Sequence, residues 1–186
     1  MNRAVFLDKD GTLIKDISYN VDPGLIEFEP YAFEALELLY QHEFLLIIIT
    51  NQPGIAFAYF TEEELKKVYE HIKNELRQQG ITLSGFYYCP HHVSGKLQSY
   101  AKECNCRKPA PGLLLRAASD MNIDLSQSWV IGDILNDVEA GSNAGCKTIL
   151  INNGNETEWL LNESRKPDYM VNDLKEAAEI IIKTWV

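Results

Sequence analysis

Short apolar runs alternate with stretches of helical period along this chain, and several of the runs end on a polar residue. No other feature restricts the fold as much. Residues 3–7 read as a buried strand that ends at Asp8. Residues 44–49, rich in β-branched side chains, read as a second strand that ends at Thr50, and residues 129–131 as a third that ends at Gly132-Asp133. Residues 86–89, 148–151 and 169–171 supply further strands. Helices are expected over 30–41, with Pro30 in the first turn, and over 111–121 and 137–143. Thr61 with Glu64 has capping-box spacing and opens a helix that Gly80 stops; Asp173 with Glu176 opens the last one. Strands alternating with helices predict an α/β fold, a three-layer, doubly wound, Rossmann-like and mainly parallel sheet. Ligands of such sheets bind beyond the carboxyl ends of the strands, where Asp8, Thr50 and Asp133 all lie.

The 186 residues suit one domain over residues 1–186. No repeat or low-complexity segment interrupts them, and the segments after Asp10 and after Ile151 are too short for a large cap domain. The formal charge of −10 disfavours a nucleic-acid partner. The apolar run 44–49 is far short of the ~20 residues that cross a bilayer, and Asp8 and Asp10 break the first apolar segment, so no signal peptide is read. A cytoplasmic monomer acting on a small molecule is the expectation.

Asp8 and Asp10 follow the first strand and, at i and i+2, share a side of extended backbone. Carboxylates that close repel unless a cation lies between them or one is protonated. Asp133 arrives from another strand end, and hard oxygen ligands beside a phosphate suit Mg²⁺. Gly11 permits a tight turn there. An Asx turn at a strand end explains one such Asp well, but three together poorly.

Asp8-Lys-Asp10-Gly-Thr-Leu resembles the first motif of the haloacid dehalogenase superfamily of phosphatases. Thr50-Asn51-Gln52 is similar to its second motif, Lys108 within Arg107-Lys108-Pro109 to its third, and Gly132-Asp133-Ile-Leu-Asn-Asp137 to its fourth. The resemblance implies Asp8 as a nucleophile that forms an aspartyl-phosphate, and Asp10 as the acid and base beside it. It implies Mg²⁺ held by Asp8, the backbone carbonyl of Asp10, and Asp133, with Thr50 and Lys108 donating to the phosphoryl oxygens. Asp137 reads equally as a first-turn helix acid and as a partner of Lys108.

Cys89-Pro-His91 and Cys104-Asn-Cys106 place three thiols and an imidazole on the two sides of a polar loop, the composition of a tetrahedral Zn²⁺ site. Buried or redox cysteines are the competing reading. His92 is a rival ligand, but adjacent side chains diverge, so one histidine binds and the other faces solvent. With four protein ligands the zinc is structural, stabilising the loop 89–106. Cys146 lies apart and reads as a core thiol.

This loop, with the phosphatase motifs, resembles the D-glycero-D-manno-heptose-1,7-bisphosphate 7-phosphatases, which share a subgroup with the histidinol-phosphate phosphatases. The resemblance implies a phosphorylated sugar substrate met by Arg107, by the segment Asp16, Ile17, Ser18 and Tyr19, and by Asn51, Gln52 and Pro53. Phe57, Ala58 and Ile134 depart from its pattern, two of them where it carries a cation. Histidinol phosphate or another small phosphomonoester is the alternative substrate, and an inactive zinc-stabilised scaffold the alternative of another class.

Overall fold

A computed structural model describes residues 1–185. The strands are β1 (Ala4–Leu7), β2 (Leu45–Asn51), β3 (Leu83–Cys89), β4 (Trp129–Gly132), β5 (Lys147–Ile151) and β6 (Tyr169–Val171). The helices are α1 (Ala32–Gln41), α2 (Glu62–Gln78), α3 (Gly112–Met121), α4 (Leu135–Ala144) and α5 (Leu174–Trp185). The strands form one sheet in the order β3-β2-β1-β4-β5-β6, and every pairing is parallel. The expectation of a mainly parallel doubly wound sheet is met.

Alternation along the strands feeds two cores. Val5, Leu7, Leu46, Ile48 and Ile131 pack with α1, α2 and α5 on one face. Ala4, Phe6, Ile47, Ile49 and Val130 pack with Leu113 and Ala117 of α3 and Ala140 of α4 on the other. Burial on both faces is why these strands read as continuous apolar runs rather than as an apolar–polar alternation.

Local signals mark most element ends. The Thr61 hydroxyl accepts from the Glu64 N–H while the Glu64 carboxylate accepts from the Thr61 N–H, a complete capping box. Gly80, at φ +76°, turns the chain out of α2. The start of α1 differs from expectation. Tyr31 takes a left-handed conformation (φ 62°), so α1 begins at Ala32 and Pro30 lies outside it. The last helix opens at Asp173 as expected: the Asp173 side chain accepts from the Glu176 N–H, and the Glu176 carboxylate accepts from the Asn172 N–H. Among the described residues no helix is long and apolar enough to cross a membrane.

The chain leaves β1 toward β2 on one side of the sheet and leaves β4 toward β5 on the other. Neighbouring β1 and β4 therefore bound the crevice in which ligands of such sheets bind. Ile131, fully buried on β4, supports this point, and Ile131→Ala is expected to cost about 2–5 kcal/mol of stability. Val93→Ala, on an exposed side chain, is expected to stay within about 0.5 kcal/mol. Urea unfolding of the two variants measures the contrast.

Candidate active site

Five strand-end and loop residues converge at the carboxyl ends of β1, β2 and β4. The Asp8 N–H donates to the Ile131 carbonyl (3.0 Å), locking the first strand end against β4. Lys108 enters from the loop that precedes α3. Its ammonium lies 2.6 Å from Asp8 Oδ1 and 2.5 Å from Asp137 Oδ1, and it donates to the Ile49 carbonyl at 3.0 Å. Asp137 also accepts from the Ile134 N–H at 3.3 Å, so both sequence readings of this residue hold together.

Carboxylate oxygens of Asp8, Asp133 and Asp137 lie within 4.8 Å of one another. Asp133 accepts from the Thr12 hydroxyl (3.1 Å) and from the Asn155 amide (2.7 Å). Two glycines make the approach possible. A Cβ on Gly11, whose φ is +81°, would fall 2.2 Å from Asp133 Oδ2, and one on Gly132 would fall 2.2 Å from the Asp137 Cβ. Asp10 stands beside the trio: its Oδ1 lies 2.5 Å from the buried Lys9 ammonium, and its Oδ2 accepts from Gln52 Nε2 at 3.0 Å. Gln52 Nε2 also reaches Thr50 Oγ1 at 2.9 Å.

The charges are crowded and poorly hydrated. Burial raises the Asp8 pKa well above the ordinary carboxylate range; Lys108 opposes this, and Asp137, Asp133 and Asp10 add to it. Burial, then Asp137, pushes Asp133 up to about 6 against the hydrogen bonds from Asn155 and Thr12. Burial alone would lower the Lys108 pKa, but Asp137 and Asp8 raise it, so the ammonium stays charged. One cation faces three carboxylates. An all-oxygen donor set with surplus negative charge fits a hard divalent ion such as Mg²⁺.

These groups open on a cavity of about 380 Å³. Asp8, Asp10, Thr50, Lys108 and Asp133 line it, and so do Asp16, Ser18, Tyr19, Asn51, Gln52 and Pro53. Ile17 does not line it and is exposed, although its neighbours Asp16 and Ser18 both line the cavity. Arg107 does not line it either. Its guanidinium reaches the His91 carbonyl (3.4 Å) and borders a neighbouring hollow with Lys102 and Glu103, because Lys108 takes the inward side of that loop. The Asn51 side chain accepts from the Lys108 N–H (3.0 Å) and donates to the Lys108 carbonyl (3.1 Å), which fixes the lysine's backbone.

Sequence reasoning missed Asn155, which lines the cavity, and Asn153, whose amide donates to the Gly11 carbonyl at 2.7 Å. The available signal was Asn153-Gly154-Asn155, another turn sequence directly after a strand.

Residues 105–177 match the family model described as HAD-hydrolase-like. The D-glycero-beta-D-manno-heptose-1,7-bisphosphate 7-phosphatase of Pasteurella multocida is 42% identical over 155 residues, 83% of this chain and 84% of that protein. The protein of that name from Escherichia coli K12 is 37% identical over 169 residues, 86% of this chain and 88% of that one. The chain belongs to the HAD-like hydrolases. Its reaction class is phosphoric monoester hydrolysis. A crystal structure described as the D,D-heptose 1,7-bisphosphate phosphatase of B. bronchiseptica, complexed with magnesium and phosphate, superposes with a TM-score of 0.81. It is 26% identical, over 98% of this chain and 99% of that one. A putative HAD-like phosphatase from Mesorhizobium loti gives 0.83 at 28% identity, over 97% of this chain and 87% of that one.

A second donor cluster of this HAD-like phosphatase lies beyond the end of β3. Cys89 Sγ is 3.5 Å from Cys104 Sγ and 3.8 Å from His91 Nδ1; Cys106 Sγ is 3.2 Å from Cys89 Sγ and 3.3 Å from His91 Nδ1. A tetrahedron with Zn–S near 2.3 Å and Zn–N near 2.1 Å has edges of about 3.6–3.8 Å. The observed separations lie at or just below that range, and far above the ~2.05 Å of a disulfide. Burial raises the thiol pKa of Cys89 and of Cys106. It would raise Cys104 too, but hydrogen bonds from the neighbouring thiols and backbone lower it. Burial, then Lys102, lowers the His91 pKa and keeps the imidazole neutral, the form that ligates a metal. His92 stays out of the cluster. Instead of facing solvent it is half-buried, with its ring 4.8 Å from that of Phe57 and its Nδ1 accepting from the Ser94 N–H. Cys146 is a buried core thiol, its pKa pushed up to about 12 by burial.

The acid cluster dictates a pH dependence. With Asp133 titrating near 6 instead of near 3.8, the folded protein binds this proton more readily than the unfolded chain. The contribution is fully present below about pH 4 and is lost as pH rises through 6, on the order of 2–3 kcal/mol. Urea unfolding of metal-free protein is therefore expected to show Asp133→Asn gaining on the wild type between pH 4 and 7. Magnesium is expected to stabilise the wild type more strongly at pH 7.5 than at pH 5.

Proposed function

We propose that this chain removes the 7-phosphate of D-glycero-β-D-manno-heptose 1,7-bisphosphate through an aspartyl-phosphate on Asp8. One observation carries the mechanism: the Asp8 carboxylate, held 2.6 Å from Lys108, faces a cavity that Asp10, Thr50 and Asp133 also line. The sugar assignment and the β configuration rest on the names of the relatives. Magnesium, which Asp8, Asp133 and the backbone carbonyl of Asp10 would hold, supplies the positive charge that lets an anionic ester approach an anionic nucleophile.

Asp8 attacks phosphorus while the ester P–O bond breaks, and Asp10 gives its proton to the departing sugar oxygen. Asp10 then takes a proton from the water that attacks the aspartyl-phosphate. The bond from Asp8 to phosphorus breaks, inorganic phosphate leaves, and both carboxyl groups return to their starting states. Thr50 and Lys108 donate to the phosphoryl oxygens throughout. Gln52 couples the acid to this cradle, since one amide nitrogen reaches both Asp10 and Thr50. Asn51 acts indirectly, by fixing the backbone of Lys108.

Cys89, His91, Cys104 and Cys106 bind Zn²⁺ as a structural ion in this reading. The ion orders a polar loop and fixes the segment that leads to Lys108. A monomer in a reducing cytoplasm, where the thiols stay available to a metal, completes the proposal.

Asp8→Asn is expected to lower phosphate release at least about a thousandfold while the protein still folds; activity equal to wild type would favour the scaffold. Phosphate release from both anomers of the bisphosphate, with histidinol phosphate alongside, tests the substrate. The β anomer is expected to give the highest kcat/KM, and faster turnover of histidinol phosphate would overturn the sugar reading. A chelator strong enough to strip zinc is expected to lower Tm by about 5 °C or more. Magnesium withdrawal is expected to stop turnover with the far-ultraviolet circular dichroism preserved.

A further inference from the structure

Four rings run outward from the wall of the catalytic cavity. Tyr19 lines the cavity. Its ring meets that of Tyr59 edge-on at 4.8 Å, Tyr59 lies 5.6 Å from Phe57, and Phe57 lies 4.8 Å from His92. The Lys96 ammonium sits 5.5 Å from the centre of the Tyr59 ring. The strip joins three segments distant in sequence: the loop after β1, the loop after β2 and the metal-ligand loop.

Its footing is firm. The Phe57 N–H donates to the Pro53 carbonyl (3.1 Å) and the Tyr59 N–H to the Gly54 carbonyl (2.8 Å). Ile55 and Phe60 on either side are buried. The metal-ligand loop docks on this turn through the Lys96 and Leu97 N–H groups, both donating to the Ala56 carbonyl at 2.7 and 2.9 Å. The same turn begins three residues after Thr50. The rings are thereby held at a set distance from the phosphate cradle.

Nevertheless Tyr19 and Tyr59 remain 50% and 55% exposed. Half-covered rings beside a polar cavity offer an apolar face with a polar edge, a surface suited to the C–H face of a sugar ring. The charges give a second argument. Among the described residues lining the cavity, Lys108 is the one cation, and it is committed to Asp8 and Asp137. A second anionic group on a substrate must find its counter-charge outside that lining, and Lys96 stands on the strip.

We propose that the strip formed by Tyr19, Tyr59 and Phe57, with Lys96 beside it, is the subsite that reads the non-reacting part of the substrate, a sugar ring bearing a second anionic group. This rests on the sugar-bisphosphatase reading above. His92 backs the strip from the metal-ligand loop, so that loop shapes specificity by supporting Phe57. Binding of this kind acts alike on ground state and transition state, and its loss appears in KM rather than in kcat.

The test compares the magnesium-loaded full chain on two substrates: the heptose bisphosphate, and acetyl phosphate, which has neither a ring nor a second phosphate. The ratio of kcat/KM on the bisphosphate to that on acetyl phosphate is expected to fall ~5- to 20-fold in Tyr59→Ala, mainly through KM, and to recover in Tyr59→Phe. Lys96→Ala is expected to lower the same ratio, and Lys96→Arg to restore it. An unchanged ratio in both alanine variants, or equal losses on both substrates, overturns the subsite while leaving the bisphosphatase reading intact. A wild type that cleaves acetyl phosphate but not the bisphosphate overturns that reading and the subsite with it.

Discussion

Mutual repulsion among carboxylates at one point of the sheet governs the rest of this structure. Asp8 leaves β1, Asp133 leaves β4, and Asp137 rises from the first turn of α4; their oxygens meet within 4.8 Å. Such an assembly persists because Lys108 is driven between two of them and because Thr12 and Asn155 hydrogen-bond the third. The surplus negative charge calls for a further cation, and the backbone around the cluster is shaped to tolerate the crowding. Gly11 and Gly132 are the residues at which any side chain would collide with the acids.

The supporting hydrogen bonds explain why the cluster is well placed as well as charged. Asn51 grips the backbone of Lys108 from both sides, so the cation's position is set by β2 as much as by its own loop. Gln52, next in sequence, joins Asp10 to Thr50. Two neighbouring amide side chains thus tie the acid, the hydroxyl and the ammonium to one strand end. This economy follows from a parallel sheet, whose strand ends all open on the same edge.

The Cys-His loop stands in a different relation to the chemistry. Its four donor atoms lie together beyond β3, away from the carboxylates, and the loop between them is polar and has little apolar surface to bury. In the proposed reading a metal takes the place of a core there. Its two ends bear on the cavity separately: one leads into Lys108, the other carries His92 onto Phe57.

Much of this was legible in the sequence. Apolar runs buried on both faces announced the parallel sheet, and the Asp8, Thr50 and Asp133 strand ends announced the edge on which chemistry gathers. The pairing of three cysteines with a histidine was visible as composition at short spacing. Other features lay beyond it. Nothing local distinguishes His91 from His92, and the choice falls to Phe57, which occupies the second ring from another loop. Ile17 sits between two residues that line the cavity and Arg107 beside one, but the direction of a side chain on an irregular segment is set by what its neighbours pack against. Asn155 joined the site because the chain after β5 folds back over Gly11. The sequence by itself determined which elements form and which residue types stand at their ends, since periodicity, capping and burial act over a few residues. Only the tertiary structure decided which of those residues touch, because strand order and loop docking bring together groups more than a hundred positions apart, as the Thr12–Asp133 bond does.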